Sequence, residues 1–183
     1  QGGGDLSVSV KTRLGFDSII TEEWIGFLLE QNIDAITIHG RIARQKSKGE
    51  ANWEEVGKAV KLKNKISPDT ILVGNGDIGN FAQAKEMFDL FGVDGIMIGR
   101  GIFTNPWIFE KTTKVNLHAK EEYIEILLAH LRLHSKTWGN TKNFAIMKKF
   151  FKMYVKDFAG ANPLRQKLME CVNSDQVENL LEK

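Results

Sequence analysis

Cysteine is almost missing from this chain: among 183 residues, Cys171 alone carries a thiol. One cysteine excludes an intrachain disulfide and a zinc site built on cysteine ligands, and it fits a reducing compartment. Long apolar runs are missing as well. None approaches the roughly 18 residues that a membrane-spanning helix needs, so no membrane partner is expected. The opening Gln-Gly-Gly-Gly-Asp has no apolar stretch of the kind a secretory signal carries, and Gly2–Gly4 reads as a flexible lead-in. A cytoplasmic location is the expectation. So is a start that is not the natural one, because no Met stands there. Also absent are a Walker-type phosphate loop, His-Glu-x-x-His and Gly-x-Ser-x-Gly. Their absence argues against P-loop hydrolysis, zinc-protease chemistry and nucleophile-elbow hydrolysis, and no metal site is expected.

What is present has a globular composition, with 42% hydrophobic and 26% charged residues, which argues against a disordered chain. The net charge of +2 says little as a total. Residues 140–170, however, hold Lys142, Lys148, Lys149, Lys152, Lys156, Arg165 and Lys167 against only Asp157 and Glu170. Such a local excess suits a polyanionic partner, and a solvated helix face explains it equally well.

Four short segments look like parallel strands that end in polar loops. They are Ser-Val-Ser-Val-Lys-Thr-Arg-Leu-Gly at 7–15, Ala-Ile-Thr-Ile-His-Gly-Arg at 35–41, Thr-Ile-Leu-Val-Gly-Asn-Gly-Asp at 70–77 and Asp-Gly-Ile-Met-Ile-Gly-Arg-Gly at 94–101. Helical spacing fills the gaps. A helix is expected over 21–31 with Thr21 as its N-cap, another from Trp53 to Lys65, and a third from Asn80 to Phe91. This is βα-repeat grammar, and in a (β/α)8 barrel the C-terminal strand ends carry the chemistry.

After Gly101 the grammar changes. Residues 105–109 read as a short helix start with Pro106 in its first turn. Helices are expected over 119–138 and 142–158, with one or two short ones to follow. On the second, Lys142, Lys149, Lys152 and Lys156 form a basic stripe opposite Phe144, Met147, Phe151, Tyr154 and Phe158. The expected division is an α/β part over 1–115 and a helical part over 116–183. Four βα units are half of a barrel, which as a whole needs about 250 residues. Open strand edges then call for a missing half or for self-association.

Each candidate residue has a plain reading beside its chemical one. Lys11 and Arg13 lie on one side of the first strand and suit an anion or an electron-rich ring, or simply a strand end that reaches solvent. His39 closes the second strand as a site residue or a structural histidine. Gly74-Asn75-Gly76-Asp77 and Gly99-Arg100-Gly101 follow apolar strands, and such glycine-rich loops expose backbone amides to a phosphate. Each taken alone is also an ordinary turn. Cys171 reads as a packing residue.

In this order and spacing, Val-Lys-Thr-Arg-Leu-Gly, Ile-His-Gly-Arg, Gly-Asn-Gly-Asp-Ile and Ile-Gly-Arg-Gly followed by Asn-Pro-Trp-Ile-Phe resemble the tRNA-dihydrouridine synthases. Met-Lys-Lys-Phe-Phe-Lys-Met-Tyr at 147–154 with Leu164-Arg165 resembles that family's C-terminal tRNA-binding region. The resemblance implies the second half of a TIM barrel followed by a helical tRNA-binding domain. It implies FMN as cofactor, NADPH as electron donor and a uridine of tRNA as substrate, reduced to 5,6-dihydrouridine. It places Lys11, Arg13 and His39 at the flavin and the base, with Asn75, Gly76, Asp77, Gly99 and Arg100 holding the flavin phosphate. Arg41, Arg44, Lys142, Lys149, Lys152, Lys156 and Arg165 are the expected tRNA contacts. The family's proton-donating cysteine lies upstream of the lysine motif, and Cys171 does not match it. The expectation is therefore a fragment that is inactive alone. Two other readings stand beside it: a non-catalytic tRNA-binding fragment, and another FMN-dependent barrel oxidoreductase acting on a small molecule.

Overall fold

The computed structural model describes residues 6–110 and 118–182. The lead-in at Gly2–Gly4 and the expected domain boundary at 115 lie outside the described residues. The chain divides into two compact units, residues 1–113 and 114–183.

In the first unit, strands β1 (Ser9–Arg13), β2 (Ala35–His39), β3 (Ile71–Asn75) and β4 (Gly95–Met97) form one parallel sheet in sequential order. Helices α1 (Thr21–Leu29), α2 (Trp53–Ile66) and α3 (Phe81–Phe91) make the crossovers. The first packs beside the second and the second beside the third, so all three lie on one face. Sequential order with helices on a single face is compatible with part of a (β/α)8 barrel, since a doubly wound sheet carries helices on both faces.

Strand alternation explains both faces. Ile36, Ile38 and Leu72 share a fully buried core with Ile25, Leu29, Val56 and Ala59 of the helices. The opposite face carries three rows that follow from the register. Ser9, Ala35 and Ile71 form the first, Lys11, Thr37, Val73 and Gly95 the second, and Arg13, His39, Asn75 and Met97 the third. The third row stands at the C-terminal ends of the strands.

Asn52 and Asn80 cap α2 and α3, each side-chain oxygen accepting from a backbone amide three residues on. Thr21 is not the cap expected of it. Ile20 occupies that position, and the Thr21 hydroxyl donates instead to buried Glu55 Oε2 at 2.5 Å, joining α1 to α2. Beyond β4 the chain makes a 3-10 turn over Arg100–Phe103. Residues 105–109 form a further turn rather than the start of a helix. Asn105 Oδ1 accepts from the Trp107 amide, and Ile108 is buried.

Every regular element among the described residues of the second unit is helical. They are α4 (Lys120–Trp138), a 3-10 turn at Gly139–Thr141, α5 (Ala145–Lys148), α6 (Phe151–Tyr154), α7 (Ala161–Glu170) and α8 (Ser174–Leu181). Leu127, Leu131, Met147, Phe151, Val155 and Leu168 form a core of its own. The single helix expected over 142–158 is broken. Around Lys149 and Phe150 the hydrogen bonds run three residues back, Phe150 to Met147 and Met153 to Phe150. That tightening rotates the chain so that Met147, Phe151, Tyr154 and Val155 all turn inward.

Candidate functional site

The third row and the loops beyond it enclose a hollow of about 790 Å³. Lys11, Arg13, His39, Asn75, Gly76, Asp77, Gly99 and Arg100 all line it. Parallel register makes this inevitable once the strands pair, because Arg13, His39 and Asn75 stand opposite one another. Lys11 lies one row lower, is exposed, and has no hydrogen-bond or ion-pair partner among the described residues. Arg13 is engaged: its Nη1 donates to the carbonyls of Ile42 at 3.0 Å and Lys46 at 2.7 Å, pinning the loop after β2. Asn75 Nδ2 donates to the Met97 carbonyl at 2.7 Å, which ties β3 to β4 and leaves its Oδ1 as the group for other partners.

Arg41 departs from its expected place on a tRNA-facing surface. Its side chain is 2% exposed. Nη2 reaches both carboxylate oxygens of Asp77, at 2.6 and 2.7 Å, and Nε and Nη2 reach the Gly49 carbonyl. A guanidinium held in this way cannot grip an external phosphate. Asp77 also accepts from the Ala51 amide at 2.8 Å. Burial alone would raise its pKa, but the Arg41 hydrogen bonds, the Ala51 amide and the charges of Arg41 and Arg100 together hold it below the usual carboxylate range. Asp77 therefore organises the loops as an anion and does not itself face a phosphate as a donor.

His39 is brought down to about 4 by burial first, then by the positive charges of Arg13, Arg41 and Lys11, which outweigh Asp77. The ring is neutral at physiological pH.

The glycine loops have the features of an anion cradle. Among the described residues, the backbone amides of Asp77, Gly99, Arg100 and Gly101 have no hydrogen-bond acceptor. Gly76 has φ +141°, a conformation that side chains avoid, and a Cβ there would lie 2.5 Å from that of Ala51. Beside Gly99 a Cβ would meet nothing within 4 Å. Arg100 is exposed and stands 3.9 Å from Asp77, too far for a hydrogen bond, so its charge is available to the hollow. Free amides, open space and the exposed cations of Lys11 and Arg100 fit a phosphate-bearing ligand.

Sequence reasoning missed Lys46, Ser47, Met97 and Thr104 on the same lining. Period-two alternation does place Met97 in the row of Asn75. The loop residues carried no comparable signal.

The basic residues of the second unit do not make one stripe, because the helix that would carry them is broken. Lys142 Nζ sits 5.0 Å over the Trp138 ring and Lys149 Nζ 5.0 Å over the Phe150 ring. Lys156 pairs with Asp157 at 3.5 Å. Arg165 donates to the Val155 carbonyl at 2.8 Å and to Asn162 Oδ1, so it also closes the end of α6. Lys152 is exposed and unpaired among the described residues. It lines a hollow of about 760 Å³ with Lys148, Asn162, Arg165 and Gln166. In the first unit, Arg44 is exposed and only 3.5 Å from Asp17. Cys171 is buried in the core of the second unit, and burial pushes its thiol pKa up. No described helix is long and apolar enough to cross a membrane. Among the described residues no cluster of His, Cys, Asp and Glu is set to hold a metal.

Comparison with known proteins bears on this geometry. The chain is 40% identical over 181 residues to the probable tRNA-dihydrouridine synthase 2 of Bacillus subtilis (strain 168), covering 98% of this chain and 55% of that protein. It is 38% identical, over the same shares, to the probable tRNA-dihydrouridine synthase of Staphylococcus aureus (strain N315). The chain thus spans about half the length of the curated relatives it matches. The family model described as dihydrouridine synthase (Dus) matches residues 4–183. With a match running through nearly all of its residues, the chain belongs to the dihydrouridine synthase family.

Proposed function

We propose that this chain supplies the second half of an FMN-binding (β/α)8 barrel and a helical tRNA-binding unit to an enzyme that reduces uridine in tRNA to dihydrouridine. One observation carries the reading: Lys11, His39, Asn75 and the two glycine loops line a single hollow at the C-terminal strand ends. The amides of Asp77, Gly99, Arg100 and Gly101, with the Arg100 charge, would hold the phosphate of FMN. When bound, FMN supplies hydride-transfer chemistry with NADPH as its reductant. Lys11 brings an uncompensated positive charge to the electron-rich side of such a ring. Arg13 keeps the 42–46 loop at the edge of the hollow. His39, neutral, serves as a hydrogen-bond partner and not as an acid at neutral pH. Cys171, packed in a core with a raised pKa, is no proton donor, so reduction of the base needs a donor from outside this chain. Lys152, Lys148 and Arg165 are the tRNA contacts this reading favours.

The experiment is flavin uptake by the full-length protein that contains this chain, read by visible absorbance and fluorescence quenching. Expected are a yellow protein and, for Lys11→Met, loss of uridine reduction with phosphate-dependent flavin binding retained. A colourless protein that cannot be reconstituted with FMN would sink the reading. For the second unit, tRNA affinity should fall with salt, and Lys152→Ala should lower the slope of log K against log salt by about 1. Salt-insensitive binding would count against the lysines.

A further inference from the structure

We propose that Arg41 is a positioning residue that fixes the tautomer of His39, leaving the Nδ1–H of the ring as its donor at the hollow. The geometry is one-sided. Arg41 Nη1 lies 3.0 Å from His39 Nε2. A guanidinium has only donors, so Nε2 must accept, and a neutral imidazole that accepts at Nε2 carries its hydrogen on Nδ1.

Arg41 is itself held from three sides, by the Gly49 carbonyl, by both Asp77 oxygens and by burial. Swinging away would cost Asp77 both of its Arg41 hydrogen bonds. Burial first, and then its charged neighbours, keep the ring uncharged. Lys11 and Arg13 approach from β1 and Arg41 from the loop after β2, against Asp77 alone from the loop after β3. Three cations against one anion disfavour a fourth positive charge.

The consequence rests on the reading of the hollow as the flavin and base site: His39 can orient an acceptor atom there but cannot protonate one at neutral pH. The tautomer itself is independent of that reading, because it is measured without any ligand.

The experiment uses full-length protein containing this chain, with ring-15N histidine, and long-range 1H–15N correlation spectra. The His39 signals are assigned by their loss in His39→Gln. At pH 7 the expected pattern is a protonated Nδ1 and a bare Nε2, with no titration until the pH approaches 5. A protonated Nε2, or a ring that titrates at an ordinary histidine pKa, would overturn the proposal. Arg41→Met is expected to release a mixture of tautomers and to raise the His39 pKa by a unit or more. Arg41→Met with Asp77→Asn tests the same point without an orphaned carboxylate. An unchanged tautomer in the folded double variant would equally overturn it. Failure of flavin uptake is a separate result that bears on the proposed function alone.

Discussion

The indole Nε1 of Trp53 donates to the Gly76 carbonyl at 3.0 Å, and the same ring occupies the space beside Gly74, where an added Cβ would lie 2.5 Å from Cζ3. The first residue of α2 thus props up the loop after β3. Gly74→Ala must displace a packed ring, and a loss of about 1–3 kcal/mol is expected from urea unfolding. Trp53→Phe should cost about 1 kcal/mol for the hydrogen bond alone. Because the two changes share one contact, their double variant should be less unstable than the sum. A Gly74→Ala protein with unchanged stability would show that the ring is not fixed there.

Gly99 and Gly101 stand two residues apart and make different predictions. A Cβ at Gly101 would lie 2.3 Å from the Ile78 carbonyl, so Gly101→Ala should unfold at lower denaturant than the parent. At Gly99 an added Cβ would meet nothing within 4 Å. Gly99→Ala should lower the urea midpoint less than Gly101→Ala does while weakening FMN, because its methyl group enters the proposed phosphate cradle. Equal flavin affinity in the Gly99→Ala and parent proteins would remove this loop from the cradle.

The convergence of Lys11, His39 and Asn75 was legible because parallel strands with period-two alternation leave their ends little freedom. Arg41 was not legible. A basic residue in a basic loop gives no sign that a carboxylate 36 residues later will bury it. Thr21 failed as a cap for a similar reason: Glu55, from a different helix, competes for the hydroxyl. The break at Lys149 and Phe150 was hidden by a regular spacing of Phe144, Met147, Phe151 and Tyr154. That spacing fits one long helix as well as two short ones joined by a three-residue-back hydrogen bond. Local pattern is thus informative for the sheet and weak wherever a distant partner decides.

Acid should weaken the fold in two stages. His39 has its pKa depressed from 6.5 to about 4 in the folded chain, so its contribution is complete above 6.5 and is lost as pH falls toward 4. Asp77, also depressed, stabilises above 3.8 and gives that up only at lower pH. Urea midpoints at pH 7 and pH 5 should therefore differ, and His39→Gln should shrink the difference. An undiminished difference in the variant would assign the pH dependence to other groups.

The sheet itself predicts association. Strands β1 and β4 are its edges, each with one side of its backbone unpaired within the described sheet. Near the first edge Phe16 is 72% exposed, with Ile19 and Ile20 beside it, and on α3 Phe88 and Leu90 also face solvent. Half-buried Ala35, Val73 and Met97 lie on the sheet face without helices. Apolar groups beside unpaired strand edges favour pairing with another chain over water. Prepared alone, the 183-residue chain should form dimers or larger species whose mass rises with concentration in light scattering. Phe16→Lys should lower that mass by placing a charge at the edge. In a full-length protein carrying the proposed first half of the barrel, whose last strand would pair β1, the same substitution should leave the scattering mass unchanged. A chain that stays monomeric alone at high concentration would mean that these edges are closed in a way the four-stranded sheet does not reveal.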